Sequence, residues 1–288
     1  MVGFLVVAVP NSIWKLLIPR EHGSWGLWIV PMVSATVVAA AGTPAERALT
    51  DAWFIDLEPV FWFALLCGLA FMIYQPLEEL IGLSLFKLRT REEKRAALLW
   101  IACFGLPALA VYIHLCRLRR VGLLWLALLA VVCFIARAEM GMDRRFRVLR
   151  ELIGALALTS TAVGAYYCAE RTVNQRAVAL WIANWLFAVG QIEYVQLRIH
   201  TAAKPDPQRA RKVLAFHLLL PPVVLAAWWL HLSPLWMIAA FVPAIVRILL
   251  WQISPPKKLN VRKLGVTELL LGITFGLLLA GAYCFGSG

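Results

Sequence analysis

Charge is scarce in this chain. Asp, Glu, Lys and Arg make up 15% of its 288 residues, against about a quarter in an ordinary soluble domain. Acidic residues are the scarcer sign, 16 beside 28 basic ones. No polar stretch is long enough to supply a separate soluble domain. The six cysteines, Cys67, Cys103, Cys116, Cys133, Cys168 and Cys284, are scattered without a Cys-x-x-Cys pair. That spacing argues against a disulfide framework or a thiolate metal site and leaves them as small buried hydrophobes. A glycine-rich phosphate loop, a His-Glu-x-x-His motif and a nucleophile constellation are also missing, so nucleotide-loop, zinc-protease and hydrolase chemistries find no anchor.

What the chain has instead is hydrocarbon. Hydrophobic residues reach 62% and there are 13 tryptophans. A spanning helix needs roughly 20 mostly apolar residues, and about nine runs meet that test. They lie near Ser24–Gly42, Pro59–Ile81, Ala96–Leu115, Val121–Ala136, Glu151–Ala169, Arg176–Gln196, Val213–Leu230, Ser233–Gln252 and Leu264–Phe285. The fold class is therefore all-α, a polytopic transmembrane helical bundle filling residues 1–288 as a single transmembrane domain. Met1–Pro10 lacks a basic leader region and a small-residue cleavage site. Residues 1–18 are accordingly expected to lie along the membrane surface, with Trp14 and Lys15 at the headgroups.

The net charge of +12 could suggest nucleic acid, but its distribution points elsewhere. Lysine and arginine gather in alternate loops: Lys87 to Arg95, Arg137 to Arg150, Arg198 to Lys212 and Lys257 to Lys263. By the positive-inside rule those loops are cytoplasmic. The N-terminus is then inside and the C-terminus outside (periplasmic), which needs an odd number of spans, as counted. The basic excess is an orientation signal and an anionic-lipid contact. The expected setting is a bacterial cytoplasmic (inner) membrane, crossed many times, with membrane lipids as partners and no nucleic acid. No internal repeat of the inverted-transporter kind stands out.

Ionisable groups inside a membrane are costly and so carry information. Those near spans fall mostly at the cytoplasmic ends: Glu21, His22, Glu78, Glu79, Glu139, Asp143, Glu151, Gln191, Glu193, Arg198, His217, Arg247 and Glu268. A polar chamber open to the cytoplasm explains that asymmetry most simply. Helical spacing puts Glu268 on one face with Gly272, Gly276 and Ala280, a small-residue stripe that aims it into the bundle. Asn184, Gln191 and Arg198 recur every seven residues along another face. Arg247 follows Pro243 by one turn, where a helical hydrogen bond is missing. Glu139 and Asp143 are spaced as on one helical turn, able to hold Mg²⁺ against a diphosphate. His22 and His217 with Glu21, Glu193 and Glu268 have the chemistry of a Zn or haem-adjacent site only if the fold unites them.

Each residue also has a plainer reading. Glu21 can cap a helix, Trp25 can anchor one and Arg247 can snorkel to headgroups. His217 can be a packed core histidine. Glu151 and Glu268 can make structural interhelical hydrogen bonds. The knot Pro19-Arg20-Glu21-His22-Gly23-Ser24-Trp25 resists such a reading. An anchor needs no imidazole beside a carboxylate, and Gly23 allows close approach to the backbone.

These residues resemble the YwiC-like family of bacterial membrane proteins. The likeness is carried by the Arg-Glu-His-Gly knot, Tyr74-x-Pro76, Glu193-Tyr194-Val195-Gln196 with Leu197-Arg198, His217, and Lys263-Leu264-Gly265-x-x-Glu268. It runs over nearly the whole chain and implies the architecture without implying an activity. The number of spans and the cytoplasmic chamber are also similar to the UbiA-type intramembrane prenyltransferases, although their paired Asn/Asp-x-x-x-Asp motifs are absent and Glu139-x-x-x-Asp143 is at best a remnant.

The sequence thus points to a cytoplasm-facing intramembrane site for an amphipathic anionic lipid such as a polyprenyl (di)phosphate, an isoprenoid or phospho-lipid ligand. His22, Glu21 and Glu268 are the candidates for proton transfer. Arg20, Trp25, Gln191, Arg198, His217, Arg247 and Lys263 are the candidates for holding the ligand. Metal, cofactor and oligomeric state stay undetermined, and a diphosphate would bring Mg²⁺ with it. Two alternatives stand beside this: an ion, proton or small-solute transporter using Glu268, Glu193 and His217, and a non-catalytic membrane assembly factor.

Overall fold

The computed structural model describes residues 22–41, 57–82, 90–141, 143–202, 205–254 and 259–285. The expected surface segment 1–18 lies outside them. Among the described residues there are helices and turns but no strand. The helices are α1 His22–Ala40, α2 Leu57–Ile81, α3 Arg91–Arg117, α4 Leu123–Glu139, α5 Arg147–Thr159, α6 Thr161–Glu170, α7 Gln175–Thr201, α8 Pro207–Trp229, α9 Met237–Ile253 and α10 Val261–Phe285. Each of the nine apolar runs coincides with one helix or, for the fifth, with the consecutive pair α5 and α6. Six of these segments are long and apolar enough to cross a membrane: α2, α3, α5 with α6, α7, α8 and α10. The apolar part of α1 and the whole of α9 are shorter. The 17 residues of α9 rise about 26 Å, just short of a hydrocarbon core of about 30 Å.

The break in the fifth run has a local cause. Thr159 Oγ1 donates to Ala155 O at 2.8 Å, Ser160 Oγ to Ala157 O at 2.7 Å and Thr161 Oγ1 to Leu158 O at 2.9 Å. Three consecutive hydroxyls turning back onto the helix compete with the backbone ladder and bend it. Thr161 Oγ1 also reaches Trp28 O of α1 at 2.9 Å, which fastens the bend to the centre of the bundle.

Helices α1 and α7 form that centre. The first packs against α2, α5, α6, α7 and α10, the second against α1, α5, α6, α8, α9 and α10. Close approach comes from small residues. A Cβ on Gly276 of α10 would sit 2.6 Å from Val30 Cγ1 of α1, and one on Gly164 of α6 would fall on the Phe63 ring of α2. Helix α3 is peripheral and leaves Leu98, Leu99, Leu106, Leu109 and Ile113 exposed, a surface suited to lipid rather than water.

The two ends of the bundle differ in kind. At one end lie the C-termini of α2, α4, α7 and α9 with the N-termini of α1, α5, α8 and α10. Gln196 Nε2 donates there to Glu151 Oε2 at 2.9 Å, and Arg137 Nη2 to Glu78 Oε1 at 2.9 Å. The other end is stitched by structural contacts. Arg120, fully buried, gives Nε and Nη2 to Cys168 O at 3.0 and 2.7 Å. It thereby closes the last turn of α6, whose terminal carbonyls have no helical donor.

Candidate functional site

The polar centre is built on α7, α9 and α10. Glu268 stands in the second turn of α10, 8% exposed. Its Oε2 accepts from Arg247 Nη1 of α9 in a direct ion pair. The Arg247 guanidinium lies over the Tyr194 ring of α7, 3.8 Å from its centroid. Gln191, one turn before Tyr194, donates Nε2 to the Glu268 backbone carbonyl at 2.8 Å. Tyr194 belongs to a separate hydrophobic cluster with Leu197, Val213, Ile248 and Trp251.

This stacking decides what Arg247 has left to offer. One face of the guanidinium is covered by Tyr194 and Nη1 is taken by Glu268. Nε and Nη2, which form the side-on fork of a guanidinium, are buried and have no hydrogen-bond partner among the described residues. Glu268 Oε1 is buried and unmatched in the same way. Buried polar groups are normally satisfied, and a parallel N–H fork fits a carboxylate or phosphate edge. The arrangement can therefore hold an anion on Arg247 beside Glu268.

His217 of α8 approaches from the next helix. It is fully buried, with Nδ1 2.8 Å from Val213 O. A carbonyl only accepts, so Nδ1 carries the proton and Nε2 of the neutral ring is left as an acceptor. Nε2 is buried without a partner among the described residues. It faces Gly190 of α7, where a Cβ would sit 3.1 Å away. Arg247 and His217 lie within electrostatic reach of one another.

On its other flank Glu268 lines a cavity of about 40 Å³. Gly26, Val30, Thr159, Asn184, Gln191 and Gly272 complete most of its wall. At about 10–15 Å³ per enclosed water, it has room for roughly three waters and is too small for a lipid head group. Asn184 turns its own amide back to Leu180 O at 2.8 Å.

The sequence-derived candidates fall into three groups. Glu268, Arg247 and Gln191 meet, with His217 beside them. Arg198 is buried one turn beyond Tyr194. Two candidates sit apart: Trp25 packs edge-on against Phe71 at 4.8 Å on the core, and Lys263 is exposed, its backbone N–H capped by Asn260 at 2.9 Å. Arg20 and Glu21 lie outside the described residues. His22 is described only as the first residue of α1, one turn before Gly26 at the cavity wall.

The expected Glu139 and Asp143 pair is not a pair. Helix α4 ends at Glu139, Gly141 turns the chain at φ 52°, and Asp143 Oδ1 accepts from Arg145 N at 2.9 Å. The two carboxylates therefore do not lie one turn apart on a helix, as their spacing suggested. Among the described residues no three His, Cys, Asp or Glu side chains cluster as metal ligands. Arg137, taken as a loop charge, instead pairs with Glu78 from inside α4. Sequence reasoning gave no role to Tyr194 or Gly190. A glycine in mid-helix, four residues before an aromatic, was the available signal.

Comparison with known proteins adds three findings. The model of a family described as YwiC-like protein matches residues 18–167, just over half the chain and ending before the Arg247–Glu268 centre. An uncharacterized protein of Haemophilus influenzae is 24% identical over 268 residues, covering 92% of this chain and 98% of that protein. No solved structure matches.

Proposed function

The chain belongs to the YwiC-like family, and on that footing we propose that this membrane protein binds the anionic head group of an amphipathic molecule at one end of its bundle. The observation that carries the reading is the unpaired Nε/Nη2 fork of Arg247, buried, with Tyr194 over the guanidinium face and Glu268 at Nη1. A buried fork without a partner is expensive in hydrocarbon, and a bound carboxylate or phosphate would satisfy it. The apolar surfaces of the bundle and its lipid would take the tail. By the loop charges, this end faces the cytoplasm of a bacterial inner membrane, with the N-terminus inside and the C-terminus outside.

A polyprenyl phosphate is one ligand of this class. In that case His22, with Glu21 or Glu268, is our candidate for proton transfer, and Arg20 and Arg198 are the candidates for added charge on the head group. The same α1 terminus borders the cavity wall through Gly26.

The test is native mass spectrometry of protein extracted in lipid particles, beside Arg247→Gln. The expected result is a retained anionic amphiphile that the variant loses. Bulk phospholipid unchanged in the variant overturns the reading. A second reading, a proton or ion carrier, is favoured by one observation: the cavity beside Glu268 has room for water but not for a head group. Proton flux into liposomes that Glu268→Gln abolishes, with no retained amphiphile, would favour it.

A further inference from the structure

We infer that the Arg247 site takes a singly charged anion together with one proton, and that the proton goes onto Glu268. The inference rests on the anion-site reading above and adds its stoichiometry and the charge of the ligand.

Charge balance in a buried site drives it. Arg247 and Glu268 neutralise one another in direct contact, with side chains only 11% and 10% exposed. An anion seated on the Nε/Nη2 fork would be the second anion on one guanidinium. Among the described residues the cation in contact with Glu268 is Arg247, and His22 begins α1 one turn before the cavity wall. From α9 it meets Arg247. From α7 it meets Gln191, which is neutral, and Tyr194, with Arg198 one turn further on. The wall from α1 is Gly26, Leu27, Val30 and Pro31, all apolar. On α10 itself Lys263 is exposed and more than one turn away. A net negative cluster sealed by hydrophobic side chains is unfavourable. One proton on Glu268 restores neutrality for a monoanion; a dianion would need a second cation as well.

His217 is the competing acceptor, through the Nε2 that Val213 leaves unprotonated. Glu268 is favoured because it shares the guanidinium with the incoming anion, whereas a charged imidazole would stand near the Arg247 cation. The wall of the cavity beside Glu268, with room for roughly three waters, gives the proton a polar approach that the apolar cluster around Arg247 does not.

The probe is octanesulfonate, whose head group does not titrate near neutral pH, so any proton taken up belongs to the protein. Binding is measured by calorimetry in zwitterionic-lipid nanodiscs, in two buffers of different protonation heat, from pH 6 to 8. The expected result is about one proton absorbed per anion and an affinity that falls about tenfold per pH unit where free Glu268 is ionised. Glu268→Gln should bind without proton uptake and without pH dependence. Binding with no uptake in the wild type, or uptake that persists in Glu268→Gln, overturns the inference and leaves the anion site standing. If Glu268→Gln does not fold, the wild-type slope decides alone. Absence of binding to the wild type, or equal binding to Arg247→Gln, overturns the anion site and this inference with it.

Discussion

Removing either member of the Arg247–Glu268 pair should cost far more than removing both. Each side chain is about nine-tenths buried and the two are in direct contact, so solvent screening is small. Breaking a buried pair by deleting one partner costs about 3–5 kcal/mol, because the survivor is left charged and unmatched. Arg247→Met and Glu268→Leu should each fall in that range. Arg247→Met also loses the cation–π contact with Tyr194 at 3.8 Å, worth about 1–2 kcal/mol when desolvated. In the double variant no charge remains. Two apolar side chains then join a wall that already holds Leu197, Val213 and Ile248, and replacing a buried pair this way is often neutral or better. The double variant should therefore lose no more than about 2 kcal/mol, the Tyr194 contact being the main loss. The coupling between the two sites, the two single losses less that of the double variant, comes to roughly 4 kcal/mol or more. Equilibrium unfolding in mixed detergent micelles of the wild type, both single variants and the double variant closes the cycle. Losses that simply add would refute the argument, because they would mean that the pair is hydrated and its fork is not a dry anion seat.

Three further outcomes follow from particular contacts. Arg120→Lys should lower stability by about 1.5–3 kcal/mol, because an ammonium cannot reproduce the two bonds to Cys168 O; an unchanged thermal midpoint would deny Arg120 its role at the end of α6. Gly164→Ala should cost about 1–3 kcal/mol by overpacking against Phe63, with Phe63→Leu restoring it. Gly265→Ala, where a Cβ meets nothing within 4 Å, should instead gain about 0.5–1 kcal/mol; equal effects at the two glycines would contradict the packing. Alkaline phosphatase fused after Gly288 should be active and a fluorescent protein placed in the 83–89 loop should fluoresce, whereas the reverse pattern would invert the orientation.

Much of the architecture is legible without coordinates because hydropathy is a local property. A run such as Pro59–Ile81 must leave water whatever surrounds it, and α2 occupies Leu57–Ile81. The inward aim of Glu268 was legible for the same reason: four-residue spacing with Gly272 and Gly276 is fixed by the helix itself. The break at Ser160 was not read in the run Glu151–Ala169, although three consecutive hydroxyls that compete with the helix backbone were the available signal.

The identity of partners was not legible, because it depends on how helices far apart in the chain are rotated against one another. Nothing local joins Arg247 to Tyr194, or His217 to Gly190. Nothing local distinguishes Arg137, which crosses to Glu78, from an arginine in a loop. The Glu139 and Asp143 spacing did not become a helical turn because the chain turns at Gly141 between them, and the packing of Trp25 on Phe71 was not legible either. The sequence by itself determined the apolar spans, the charge asymmetry of the loops and the set of costly polar groups, since each follows from transfer free energy along the chain. Only the tertiary structure decided which of those groups meet. Packing across α7, α9 and α10 left Arg247 with one edge matched by Glu268 and the other buried without a partner among the described residues.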